Sequence, residues 1–155
     1  MATPLARLAE LGIALPTVVT PLAAYVPAVR SGSLVFTSGQ VPMVDGQLAA
    51  KGKVGDTVSA EDAKALARIC ALNALAAIDA LVGLDSVVRV VKVVGFVASS
   101  PDFTGQPGVI NGASEFLGEV FGQAGAHARS AVGVASLPLD APVEVELVVE
   151  VLTTR

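Results

Sequence analysis

Apolar and polar residues alternate almost strictly near the end of the chain. Val143, Val145, Leu147, Val149 and Val151 fall on one side of an extended backbone; Glu144, Glu146, Val148 and Glu150 fall on the other. That period predicts a strand over 143–152 with one apolar face. Residues 131–135 alternate too, with Ala131, Gly133 and Ala135 opposite Ser130, Val132 and Val134. Residues 87–97 (VVRVVKVVGFV) are a near-continuous valine-rich run. This is the pattern of a central strand buried on both faces. Two β-type runs, 25–30 and 34–38, flank the turn signal Ser31-Gly32-Ser33 and predict a hairpin. Pro27 cannot donate a ladder hydrogen bond, which makes the first of these an edge strand. Asp45-Gly46 marks a further turn.

The helical period appears over residues 60–81. Leu66, Ile69, Cys70, Asn73, Leu75, Ile78 and Leu81 trace one broad face, Ser59 is the N-cap candidate and Gly83 the stop. Asp62 stands where a capping box carries its acid. A second helix is predicted over about 109–121, ending near Gly122. Near the start, Leu5, Leu8 and Leu11 mark a short amphipathic helix, and Pro16 and Pro21 an extended arm after it. The order is ββαβαββ. This predicts an α+β fold, a mixed sheet with two helices on one face. Residues 1–24 form a helix and arm packed on the domain, and residues 25–155 a single domain.

Composition changes this picture in one respect. Of the 155 residues, 53% are hydrophobic and only 15% charged, against about a quarter charged in ordinary domains. A lone subunit would have little charge to cover its surface, which favours an oligomer. The second face of the sheet, small and carboxylate-bearing, is either solvated or an interface. The ten Lys and Arg are scattered singly, Trp is absent and the net charge is −4. A groove that tracks nucleic-acid phosphates is poorly supported. Cys70 is the single cysteine and His127 the single histidine. Neither has a partner at metal-ligand spacing, so no metal is expected, and Cys70 reads as a small buried hydrophobe. No secretory signal or uninterrupted apolar run of membrane-spanning length is visible, and a cytoplasmic protein is the expectation.

Two segments carry a resemblance. Residues 127–138 (HARSAVGVASLP) with Val143-Glu144-Val145-Glu146 resemble the C-terminal signature of the Rid/YjgF family, and Ser38-Gly39-Gln40-Val41-Pro42 resembles its Ser-Gly-Gln-Val-Pro motif. Tyr25 and Asn111 match a tyrosine and an asparagine of that family. The resemblance covers about residues 25–152. It implies a chorismate-mutase-like fold of the bacillary type and a homotrimer with clefts between subunits. It also implies hydrolysis of reactive 2-imino and 2-enamino acids, of the 2-iminobutanoate and 2-iminopropanoate kind, to 2-keto acids and ammonia without a cofactor. Three departures stand out: Ala131 sits where the family often has cysteine, residues 99–108 form a longer loop rich in Gly and Pro, and the N-terminal arm is an addition.

The chemistry fits those residues. A 2-imino acid has a carboxylate beside an electrophilic carbon, and the planar fork of Arg129 suits that carboxylate. By the resemblance, the amides of Gly39 and Ala131 complete the grip. Glu144 can place a water against the imine carbon. Tyr25, Ser38 and Asn111 are further candidates for ligand contact. Other readings of the same residues stay open. An arginine at a strand start and alternating glutamates are ordinary solvated charges; Tyr25 can be packing, Ser38 a turn residue and Asn111 an N-cap. Two other functions compete. One is a non-catalytic trimer that binds small carboxylates as a sensor or scavenger. The other, less favoured by an acidic chain, is a ribonuclease or translation inhibitor.

Overall fold

The computed structural model describes residues 2–21 and 24–153. Positions 22 and 23 of the expected arm, and residues 1, 154 and 155, lie outside the described residues. The main sheet contains β1 (Ala28–Ser31), β2 (Leu34–Thr37), β5 (Val87–Ala98), β6 (Ala128–Val134) and β7 (Val143–Val151). A small hairpin, β3 (Met43–Val44) and β4 (Gln47–Leu48), turns at Asp45-Gly46. The helices are α1 (Pro4–Glu10), α2 (Ala60–Val82) and α3 (Gln106–Phe121). Leaving aside α1 and the small hairpin, the order is ββαβαββ, as the pattern predicts. The strands lie in the order β1-β2-β7-β5-β6, antiparallel except for the parallel pair β5 and β6. The fold is therefore a mixed α+β sheet with the long helices on one face. β1, which follows Pro27, is an edge strand.

α2 begins where Ser59 accepts a hydrogen bond from the Asp62 amide at 3.0 Å, which satisfies one of the orphan donors of the first turn. The helix is long and apolar enough to suit a membrane span by length and composition. Here its buried face packs against β7 and α3. Gly112 is where α3 comes closest to α2: a Cβ there would run into the Lys64 carbonyl. α1 rests on α3 through the buried Leu8, and Arg7 Nε donates to the Glu119 carbonyl at 2.8 Å. The amide of Leu5 donates to Asp85.

Residues paired across the sheet share a face. Val93 pairs with Leu147 and with Arg129; all three point to the helix side. Phe96 pairs with Glu144 and with Val132, on the opposite side. The helix side is closed, with Val35, Val90, Val93, Val97 and Val149 fully buried. The opposite side is not: Val29 is 51%, Phe36 44% and Val132 43% exposed. Here the expectation for β5 needs correction. Within one chain it is buried on its helix face only, and Val91, Val94 and Phe96 are half-covered. The reason is that α1, α2 and α3 leave this face bare.

Other boundaries also shift. β1 starts at Ala28, so Tyr25 lies before the strand in a bend. β6 starts at Ala128 and takes in Arg129. α3 starts three residues before the predicted 109, because Pro107 is compatible with a first helical turn. Asn111 is thus inside the helix rather than its cap, and Gly105 holds the cap position.

Asn73, on the buried side of α2, donates to the carbonyls of Val41 (3.3 Å) and Met43 (3.0 Å) and so pins the segment after β2. Asn73→Ala removes that donor from a buried site, and urea unfolding should show a loss of about 1–3 kcal/mol. Unchanged stability would mean that this segment does not depend on α2.

Candidate functional site

The stripe Pro107, Asn111 and Ser114 has the spacing of one helix face, and that face of α3 meets Arg129 on β6. Arg129 Nη1 donates to Asn111 Oδ1 at 2.8 Å and to Ser114 Oγ at 3.2 Å, while Nη2 donates to the Pro107 carbonyl at 3.3 Å. All three acceptors are uncharged. No carboxylate pairs with Arg129 among the described residues. A guanidinium has five N–H donors. With these three bonds made, Nε–H and one Nη2–H remain for an incoming acceptor, and the positive charge is not neutralised among the described residues. Ala131 lies two residues on, on the same side of β6, and packs partly against the core.

Ser114 does a second job. Its hydroxyl lies 2.9 Å from His127 Nε2, and His127 Nδ1 lies 2.6 Å from the Gly125 carbonyl. A carbonyl can only accept, so in the neutral ring the proton sits on Nδ1 and Nε2 accepts from Ser114. The serine lone pair is then turned to Arg129. Sequence reasoning missed Pro107 and Ser114 and treated His127 only as a metal ligand without a partner. The signal was present: residues 107, 111 and 114 stand at helical intervals from the chosen Asn111.

Glu144 belongs to a different place. It lies at the start of β7, on the sheet face turned away from the helices, paired with Phe96. The chain leaving β2 runs beside it: Gln40 N donates to the Val145 carbonyl at 2.8 Å and Val145 N returns a bond to the Gln40 carbonyl at 3.0 Å. This brings Gly39 against the Glu144 carboxyl so closely that a Cβ on Gly39 would fall on its oxygen. Tyr25, Gly39 and Glu144 line a cavity of about 660 Å3 that also takes in residues 17–21 of the arm and Leu139. Ser38 is not among its lining residues. The Ser38 hydroxyl donates to the Val26 carbonyl at 2.6 Å and its amide to the Pro27 carbonyl at 2.8 Å, holding the stretch after Tyr25 in place.

Burial, and secondarily the neighbouring Glu146 charge, raises the Glu144 pKa above the ordinary glutamate value. Cys70 lies beneath β7, its thiol 3.8 Å from the Val143 carbonyl. Burial, with a smaller contribution from Glu144, pushes its thiol well up, so it is a poor nucleophile. Among the described residues, no three His, Cys, Asp or Glu side chains converge as metal ligands.

The sequence-chosen residues therefore divide in two. Arg129, Asn111 and Ala131 lie on the helix side of the sheet; Tyr25, Gly39 and Glu144 lie around the cavity reached from the other. One chain does not bring Arg129 and Glu144 together.

One mixed sheet with helices on a single face, and polar side chains split between its two sides, defines a class of small α+β domain. Comparison with known proteins narrows it. The chain belongs to the Rid/YjgF family: the family model described as Endoribonuclease L-PSP matches residues 16–151. Protein TCP17 of Trypanosoma cruzi is 46% identical over 147 residues, covering 94% of this chain and 92% of that protein. The crystal structure of Atu1372 from Agrobacterium tumefaciens is 46% identical, with a TM-score of 0.88 over 95% of this chain and 91% of its own. The crystal structure of TdcF from E. coli, with bound serine, is 31% identical, with a TM-score of 0.60 over 87% of this chain and 91% of its own.

The raised pKa of Glu144 has a consequence for stability. The folded state holds this proton more tightly than the unfolded state does. Stability is therefore lost as pH rises from the ordinary glutamate value through the raised one, and the penalty persists above it. Glu144→Gln should melt higher than wild type at pH 7, and the difference should vanish below the ordinary glutamate range. Equal melting temperatures at pH 7 would show that Glu144 is not desolvated.

Proposed function

We propose that this protein is a cytoplasmic homotrimer of chorismate-mutase-like fold that hydrolyses reactive 2-imino and 2-enamino acids. Its sites lie in clefts where Arg129 of one subunit faces Glu144 of the next. The observation that carries this reading is the un-neutralised Arg129, held by three uncharged acceptors with two donors left over. Such a fork suits a carboxylate, with two parallel charge-assisted bonds. The split of the candidate residues between the two sides of the sheet supports a composite site. Surfaces that differ must meet head to tail, and a head-to-tail contact that closes makes a ring. The bare face with Val29, Phe36 and Val132 is apolar enough to be an interface core. The serine bound to TdcF is a small molecule with a carboxylate and an amine, the two groups a 2-imino acid carries in related form.

The reaction consumes only the imine and water. The ligand carboxylate lies on Arg129, with the amides of Gly39 and Ala131 beside it and Asn111 steadying the guanidinium. Tyr25 closes the cavity side, and Ser38 anchors the stretch that carries Tyr25. Glu144 takes a proton from water as its oxygen bonds to the imine carbon. It returns the proton to the nitrogen, which gives a carbinolamine. It then takes the hydroxyl proton and passes it to that nitrogen as the C=O forms and the C–N bond breaks, and a 2-keto acid and ammonia leave. A carboxylate with a raised pKa is a stronger base than an ordinary glutamate once ionised. The imine carbon is electrophilic already, so placing the water is most of the task.

The family's description also names an endoribonuclease. A net charge of −4 and the glutamates 144, 146 and 150 on one strand face would repel an RNA backbone.

Ammonia release from imino acids generated in situ tests the proposal. Arg129→Ala should weaken 2-keto acid binding roughly ten- to a hundred-fold, the worth of a charge-assisted contact. Glu144→Gln should keep that binding and lose about 10²–10⁴-fold in rate. Normal binding by Arg129→Ala would remove the site assignment; a wild-type rate in Glu144→Gln would remove the role of the base.

A further inference from the structure

We infer that the site selects 2-imino acids with a bulky apolar side chain, which the cavity beside Glu144 receives. This rests on the function proposed above and deepens it. The reacting carbon of such a substrate has three substituents. The carboxylate goes to Arg129, and the nitrogen lies where Glu144 delivers its proton. Only the side chain is left without an anchor, and it must run from Glu144 into the adjoining space.

That space is large and greasy. Its volume of about 660 Å3 lies well inside the ~300–1,000 Å3 range of small-molecule pockets. A methyl or ethyl group would touch little of its apolar lining. Val18, Val19 and Pro21 of the arm, Val41, Met43 and Leu139 give it apolar lining. Leu139 is 52% exposed, and its backbone is left-handed, with φ 63° and ψ 16°. A branched residue rarely adopts that conformation, since its Cβ crowds the following carbonyl, and Asn or Gly would hold the same turn with less strain. Leu139 thus presents an exposed apolar residue in the cavity lining on a strained backbone, the kind of outlier that points to ligand contact.

The proposal can be tested by calorimetric binding of 2-keto acids of increasing side chain, from pyruvate through 2-oxobutanoate to 4-methyl-2-oxopentanoate. Wild type should gain about four-fold in affinity per added methylene, and 4-methyl-2-oxopentanoate should exceed pyruvate by ten-fold or more. Leu139→Asn, which suits the left-handed backbone, should reduce that ratio several-fold. Val19→Ser, also in the lining, should do the same. A flat series in wild type that still depends on Arg129 would overturn the side-chain proposal and leave the deaminase reading standing. So would a steep series that both variants retain. If no 2-keto acid binds, or Arg129→Ala binds them all as well as wild type, both fall together.

Discussion

A five-stranded sheet has two faces, and the helices among the described residues cover only one of them. α2 and α3 cover the side that holds Val93, Val149 and Leu147, where nearly every residue is fully buried. The other side keeps Phe36, Val132 and Val29 in contact with solvent, in a chain of which only 15% is charged. The strict alternation along β7 makes this unavoidable. Each valine turned into the core turns its neighbour, a glutamate or another valine, toward the bare face. Glu144 is half-buried there because it sits at the edge of that face, beneath the segment that carries Gly39. Arg129 is on the helix side because β6 pairs it with Val93. The separation of the two groups is thus fixed by strand register and not by loop conformation.

The same register explains how the two halves differ in electrostatic character. On the helix side, the carbonyl and hydroxyl groups of α3 hold Arg129 without cancelling its charge, and His127 orients the serine among them. On the other side, burial and Glu146 make Glu144 reluctant to ionise. A fixed cation in one place and a carboxyl with an enhanced grip on its proton in another are complementary, and a 2-imino acid has a group for each.

Much of this was legible in the sequence. The alternation of β7 gave the face to which Glu144 belongs, and Ser59, Asp62 and Gly83 bounded α2 to within a residue. The motifs around Gly39 and Arg129 pointed to the family. Periodicity failed where two causes give one pattern. The valine run of β5 looks the same whether both its faces are covered by its own helices or one is left for another surface. The start of α3 was missed because Gly and Pro at 105–108 read as loop, although proline fits a first helical turn. That error left the N-cap reading of Asn111 open although the residue lies inside the helix against Arg129, and it hid Ser114 and Pro107 on the same helix face. The conformation of Leu139 had no signal in sequence, since the residue type argues against the backbone it adopts.

The central claim is that a working site needs Arg129 from one copy and Glu144 from another. Co-refolding equal amounts of Arg129→Ala and Glu144→Gln chains tests it directly. In randomly mixed rings, roughly a quarter of the head-to-tail contacts join an intact Arg129 to an intact Glu144. The mixture should therefore recover about that share of wild-type imine hydrolysis, although each variant alone is nearly inactive. Activity no higher than the average of the two separate variants would place both groups in one subunit and contradict the account.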